Sequence, residues 1–116
     1  MRYTKSLKGS VNFKRVLKQG KYVSSKVIAI YVKKNDLNGG KNLLGICVSK
    51  KHGNSVVRNK LKRWVREVYY SLENKLNKNY NIVILYRKGI DVEKLNYNVV
   101  KDEIISLFTK IELVHE

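Results

Sequence analysis

The chain has 116 residues, enough for one domain with a buried core and too few for two. Its 25 Lys and Arg against 9 Asp and Glu give a formal charge of +16, while a 43% hydrophobic content argues against disorder. This balance calls for a polyanionic partner; no segment has the apolar length of a membrane span, no signal-peptide hydrophobic region opens the chain, and a cytoplasmic location is expected.

Ser10 is placed to cap a short helix to about Gln19, with Phe13, Val16 and Leu17 on its apolar side and Gly20 as its stop. Lys21 to Ser24 reads as a short extended segment, and Val27 to Val32, rich in β-branched residues, as a better strand. Asp36-Leu37-Asn38-Gly39-Gly40 supplies turn chemistry, and Leu43 to Ser49 returns as a strand, so the two strands are expected to form an antiparallel hairpin. A polar, basic loop from Ser49 to Ser55 leads into a helix running to about Leu76, which Asn77-Lys78-Asn79 breaks. Tyr80 to Tyr86 is nearly continuous in apolar residues, as a central strand would be, and Arg87-Lys88-Gly89 ends it. Val100, Ile104, Leu107, Phe108 and Ile111 mark a C-terminal amphipathic helix. The expected order is α-β-β-β-α-β-α: an α+β fold, one sheet with helices packed on it as a two-layer sandwich, in a single domain over residues 1–116.

The long helix is the most informative segment. At about 100° per residue, Val57, Leu61, Trp64, Val65, Val68 and Leu72 gather on one side, with Asn59, Arg63, Arg66 and Tyr70 opposite and Arg58, Lys60 and Lys62 flanking. A solvated face normally mixes signs, because like charges one turn apart repel. From Arg58 to Glu67 there are five cations and one acid, so the counter-anion must come from outside. Lys50, Lys51, Arg87 and Lys88 would join this surface if the loop and helix lie beside the end of the last strand. Arg suits bidentate phosphate contacts, and Asn59 can donate to a phosphate or ribose oxygen.

No catalytic constellation assembles. The acids Asp36, Glu67, Glu73, Asp91, Glu93, Asp102, Glu103, Glu112 and Glu116 lack the spacing of a carboxylate pair or metal site, and Gly39-Gly40 lacks the remainder of a phosphate loop. Cys47 is the only cysteine and sits in an apolar run; with His52 and His115 isolated, there is neither a disulfide, a thiol nucleophile nor a zinc site to propose. Phe13, Tyr22, Tyr31 and Tyr86 are candidates to flank a groove for stacked, unpaired nucleotides, against the alternative of ordinary core or cross-strand packing; Trp64 reads as core.

The run Leu44-Gly45-Ile46-Cys47-Val48-Ser49-Lys50-Lys51-His52-Gly53-Asn54-Ser55-Val56-Val57-Arg58-Asn59-Lys60-Leu61-Lys62-Arg63-Trp64-Val65-Arg66-Glu67 closely resembles the signature of the bacterial ribonuclease P protein family, of form R-N-R-x-K-R-x-x-R. The likeness extends to the Phe13 helix, to Arg87-Lys88-Gly89 and to the total size. It implies a ribosomal-protein-like domain that partners a catalytic RNA, the two forming an endoribonuclease that removes the 5′ leader from precursor tRNA, with the RNA carrying out Mg2+-dependent hydrolysis and neither DNA nor membrane as partner. Carried over, Lys50, Lys51, Asn54, Arg58, Asn59, Lys60, Lys62, Arg63 and Arg66 would face the catalytic RNA, and Phe13, Leu17, Tyr31, Arg87 and Lys88 the leader. No residue of the chain would be catalytic. Two departures stand out: Lys60 replaces the usual second Arg of the motif and loses its planar fork, and Leu17 stands where Phe is frequent. The alternative is a structural, ribosomal-type RNA-binding protein; a stand-alone nuclease would need acidic metal ligands that the spacing does not supply.

Overall fold

The computed structural model describes residues 3–114, so His115 and Glu116 lie outside the described residues. In chain order it contains β1 (Thr4–Ser6), α1 (Ser10–Gln19), β2 (Lys21–Ser24), β3 (Ile28–Lys34), β4 (Asn42–Cys47), α2 (Ser55–Leu72), β5 (Tyr80–Tyr86) and α3 (Tyr97–Lys110). The strands form one sheet in the order β1-β4-β5-β3-β2.

Two expectations need correction. First, an N-terminal strand precedes α1. β1 pairs in parallel with β4, Thr4 opposite Asn42 and Ser6 opposite Leu44, but Lys5 and Ser6 are exposed and give it no apolar pattern to read. Second, β3 and β4 do not form a hairpin. β5 lies between them, so Ile84 stands opposite Ile30 on one side, antiparallel, and Ile46 on the other, parallel. The turn residues at 36–40 do reverse the chain, yet β5 is the strand that fills both edges because its apolar residues are covered on both faces of the sheet. The hairpin that forms is β2–β3, with Tyr22 opposite Tyr31 and Ser25 holding the turn through its hydroxyl, which accepts from the Ile28 N–H at 3.2 Å.

Alternation along the strands sorts the core into two layers. Ile28, Ile30, Val32, Ile82, Ile84, Tyr86 and Leu44 pack with Leu61, Val65, Val68 and Tyr69 of α2 and with Val100, Ile104, Leu107 and Phe108 of α3. On the reverse face Val83 packs with Leu7 and Val16 of α1, flanked by half-buried Phe13, Tyr31, Leu43, Cys47 and Leu85. The helices therefore divide, α2 and α3 on one side of the sheet and α1 on the other.

Helix ends differ in detail from the sequence reading. Gly9, not Ser10, occupies the N-cap of α1, where no side chain caps the helix. Gly20 ends it with an ordinary φ of −77°; glycine is required there because a Cβ would fall 2.8 Å from the Val32 carbonyl oxygen. α2 is capped by Asn54, whose Oδ1 accepts from the Val57 N–H at 3.0 Å, and stops at Leu72 rather than Leu76, giving way to a 3-10 turn over Glu73–Lys75.

Two buried tyrosines fasten α2 to the sheet. The Tyr86 hydroxyl donates to the Leu61 carbonyl at 2.8 Å, and the Tyr69 hydroxyl shares hydrogen bonds with Thr4 Oγ1 at 2.8 Å and Asn42 Nδ2 at 3.4 Å. Burial raises the pKa of both phenols, most strongly for Tyr86. The unfolded chain then loses these protons first, so the stability they contribute is full below about pH 10 and is lost as pH rises beyond it. Denaturant unfolding between pH 9 and 11 should show this decline, and Tyr86→Phe should make it shallower; an unchanged slope would contradict the assignment.

Candidate RNA interface

The cationic face of α2 follows from its core face. Leu61, Val65, Val68 and Tyr69 are buried, Val57, Trp64 and Leu72 are half-buried, and the remaining positions are left to solvent. Asn59, Lys60, Arg63 and Arg66 are exposed, with Arg58 and Lys62 half-buried at the margins. The arginines from 58 to 66 span about 12 Å along the axis. Among the described residues their one internal counter-charge is Glu67, 3.7 Å from Arg63 with both side chains more than half exposed, a contact of about 0.3–0.5 kcal/mol that external phosphate can displace. The Arg58 Nε is enclosed and, among the described residues, has no hydrogen-bond partner. Lys60 lies over the Trp64 ring, Nζ 5.3 Å from its centroid, so Trp64 is only partly core and helps to position a cation of the motif.

The loop before α2 is built from backbone. Ser49 caps a 3-10 turn, Lys50–His52, by accepting from the Lys51 N–H at 3.2 Å, and Gly53 follows with φ 146°, a conformation that favours glycine. Lys50, Lys51 and Asn54 are exposed; Asn54 Oδ1 is committed to capping α2, leaving its amide group outward.

His52, isolated in the sequence, is the contact that locates this loop. It is buried, its ring lies edge-on to Tyr86 with centroids 6.2 Å apart, and Nε2 donates to the Arg87 carbonyl at 3.0 Å. The loop is thereby tied to the end of β5, which brings Lys50, Lys51, Arg87 and Lys88 to one end of the sheet. Only the Lys50-Lys51-His52-Gly53 turn next to the Arg87 strand end hinted at such a latch. A cavity of about 470 Å³ opens there, lined by Ile46, Cys47, Val48, Ser49, Lys62, Leu85, Tyr86 and Lys88, so it joins the margin of α2 to the reverse face of the sheet. Burial raises the Cys47 pKa against the opposing field of Lys62, and the thiol forms part of the cavity wall.

On the reverse face, α1 packs across β3 and β5 and borders the candidate groove surface. Phe13 and Leu17 are four residues apart on one side of α1; Phe13 is half-buried over Gly45 and Leu17 is 40% exposed. Tyr31 is half-buried on the same face, its ring 4.7 Å from that of Tyr22, which is 53% exposed. Arg87 reaches across the open end, Nη1 donating to the Ser25 carbonyl at 2.8 Å, with Lys88 exposed beside it. Phe13, Leu17, Tyr31, Arg87 and Lys88 thus share the reverse face and its open end. Tyr86 does not: it points into the α2–α3 core, with its hydroxyl spent on Leu61, and is corrected from groove candidate to core. Among the described residues no three His, Cys, Asp or Glu side chains form a cluster able to hold a metal ion, and no helix is long and apolar enough to cross a membrane.

Comparison with known proteins gives a consistent result. The family model described as Ribonuclease P matches residues 1–112. The ribonuclease P protein component of Clostridium acetobutylicum is 36% identical over 108 residues, covering 93% of this chain and 89% of that protein. Among solved structures, the Staphylococcus aureus RNase P protein superposes with a TM-score of 0.83 at 25% identity, covering 97% of this chain and 98% of that one. The RNase P protein from Thermotoga maritima gives 0.80 at 29% identity, covering 91% and 96%.

Proposed function

The chain belongs to the ribonuclease P protein family, and from that premise we propose that it is the non-catalytic partner of an RNA whose joint activity is endonucleolytic removal of the 5′ leader from precursor tRNA. The observation that carries the reading is one continuous layout: a cationic helix face free of acids until Glu67, latched through His52 to the end of β5, with half-buried Phe13 and Tyr31 on the opposite side of the sheet. Such a layout suits two RNA segments at once. The face of α2 with Lys50, Lys51, Asn54, Arg58, Asn59, Lys60, Lys62, Arg63 and Arg66 takes the catalytic RNA, and the groove with Phe13, Leu17, Tyr31, Arg87 and Lys88 takes the single-stranded leader.

In this reading the protein contributes position and charge, not bond-making groups. Cations neutralise the repulsion between two polyanions, and a held leader fixes the scissile bond relative to the RNA that cleaves it. In this reading the magnesium ions are held chiefly by the RNA. Both protein effects substitute for divalent counter-charge, so the magnesium requirement falls. Leader recognition tolerates sequence, because stacking and backbone contacts read little base identity.

The test is cleavage of a leader-bearing precursor by a bacterial ribonuclease P RNA at low magnesium, with and without the protein. Strong stimulation is expected. RNA binding without stimulation would return the chain to the structural, ribosomal-type reading, and cleavage of the precursor by the protein freed of the catalytic RNA would overturn the non-catalytic role.

A further inference from the structure

The groove and the α2 face leave many cations unused, and these are not scattered evenly. The first 66 residues hold 18 of the 25 Lys and Arg but only one acid, Asp36; the last 50 hold seven cations and the other eight acids. The balanced part includes α3, whereas α1, on the opposite side of the sheet from α2, lies within a stretch of 35 residues carrying ten cations and no acid.

Lys14, Arg15 and Lys18 of α1 are exposed, and among the described residues none of them makes an ion pair. They make α1 a poor helix by itself. Lys14 and Lys18 repel at i, i+4, no acid opposes the N-terminal end of the dipole, and no side chain caps it. A merely solvated face gains nothing from this arrangement, but a face that meets phosphate does. Its position says which phosphate. Ser10, Lys14 and Lys18 form an i, i+4 row bordering the row of Phe13 and Leu17, so they run along the crest of the groove wall. The catalytic RNA is assigned to α2, across the sheet; a strand leaving the groove over α1 meets this crest next.

We propose that the outer face of α1, through Lys14, Arg15 and Lys18, binds the phosphodiester backbone of the leader upstream of the nucleotides lying in the groove. The inference rests on the leader-groove reading above and extends the contact to a second, purely electrostatic segment. It makes affinity depend on leader length as well as on leader presence.

The test compares wild-type and Lys14→Ala/Arg15→Ala/Lys18→Ala holoenzymes, reconstituted with ribonuclease P RNA, in binding precursors of increasing leader length. Alanine raises helix propensity at these exposed sites, so the variant keeps its fold, which circular dichroism checks. Wild type should gain affinity in two stages as the leader fills the groove and then passes over α1. The variant should lose only the second stage, roughly tenfold at moderate salt, with its long-leader log–log salt slope flatter by about 2, near 0.7 for each phosphate released. Equal loss for leaderless precursor, or weaker binding of the catalytic RNA itself, would place these cations on the catalytic RNA and overturn the proposal, as would no loss at any length. A wild type indifferent to any leader would overturn the groove reading itself, which is visible before the variant is compared.

Discussion

Replacing Arg58, Arg63 and Arg66 together by alanine should weaken binding of the catalytic RNA by about a hundredfold or more and abolish stimulation of cleavage at low magnesium. Each guanidinium offers charge-assisted hydrogen bonds worth about 1.5–3 kcal/mol when desolvated and less at an exposed rim, so three at about 1 kcal/mol each already reach this factor. Competition within the protein is weak, because Glu67 holds Arg63 only at 3.7 Å on the surface. Electrostatic origin has its own signature: a slope of log affinity against log salt flatter by about 2–3 in the variant. Binding titrations over a salt series measure both quantities. A loss of affinity with an unchanged slope would indicate a damaged fold instead. Lys60→Arg supplies the converse, since restoring the planar fork at the departing position should tighten binding, provided the side chain leaves the Trp64 ring over which Lys60 sits.

The second large effect should come from a residue that touches no RNA. Gly45 lies in the centre of β4 directly beneath Phe13, and a Cβ there would enter the phenyl ring, with Cε1 only 2.6 Å away. The ring is half-buried and at the end of a rotatable side chain, so Gly45→Ala should displace it outward rather than break the sheet, at a cost of about 1–3 kcal/mol. The functional loss should be greater than the stability loss suggests. A displaced Phe13 closes the groove that it walls, so the affinity advantage of leader-bearing over leaderless precursor should fall towards unity while affinity for the catalytic RNA is retained. Comparative binding of the two precursors reads this directly; an intact advantage would mean that Phe13 does not line the leader path.

These residues show where sequence reasoning succeeds and where it stops. The bounds of α1 and β5 and the core stripe of α2 are legible because each is a local pattern, a 3.6-residue repeat in the helices and an unbroken apolar run in the strand. The cationic face of α2 is legible for the same reason: it is what remains after the core stripe is removed. Strand pairing is not local. Nothing between Val27 and Ser49 announces that a strand made more than thirty residues later will separate its two halves. β1 is too short and too polar to show a pattern, and its place is set by Thr4 meeting the Tyr69 hydroxyl, a buried polar contact that spans 65 residues and that Asn42 joins through the same hydroxyl. Tyr86 looked like a groove aromatic because composition does not reveal which way a strand faces; its register opposite Ile28 does. Gly45 drew no reading of its own and His52 passed as an isolated histidine, since close approach to Phe13 and capture of the Arg87 carbonyl exist only once the sheet has formed.

The central position of β5 also dictates how this molecule comes into being. Before Tyr80–Tyr86 is in place, the strands can make only two separate pairs, β1 with β4 and β2 with β3, and two-stranded ribbons are marginal in water. Neither pair can wait as a half-built domain: assembly is held back until the last strand inserts, and the contacts that reward it join distant parts of the chain. During synthesis the basic helix is therefore made before anything exists to orient it. A chain ending after α2 would carry every cation of the RNA-facing helix and loop and none of the order that turns those charges into a surface.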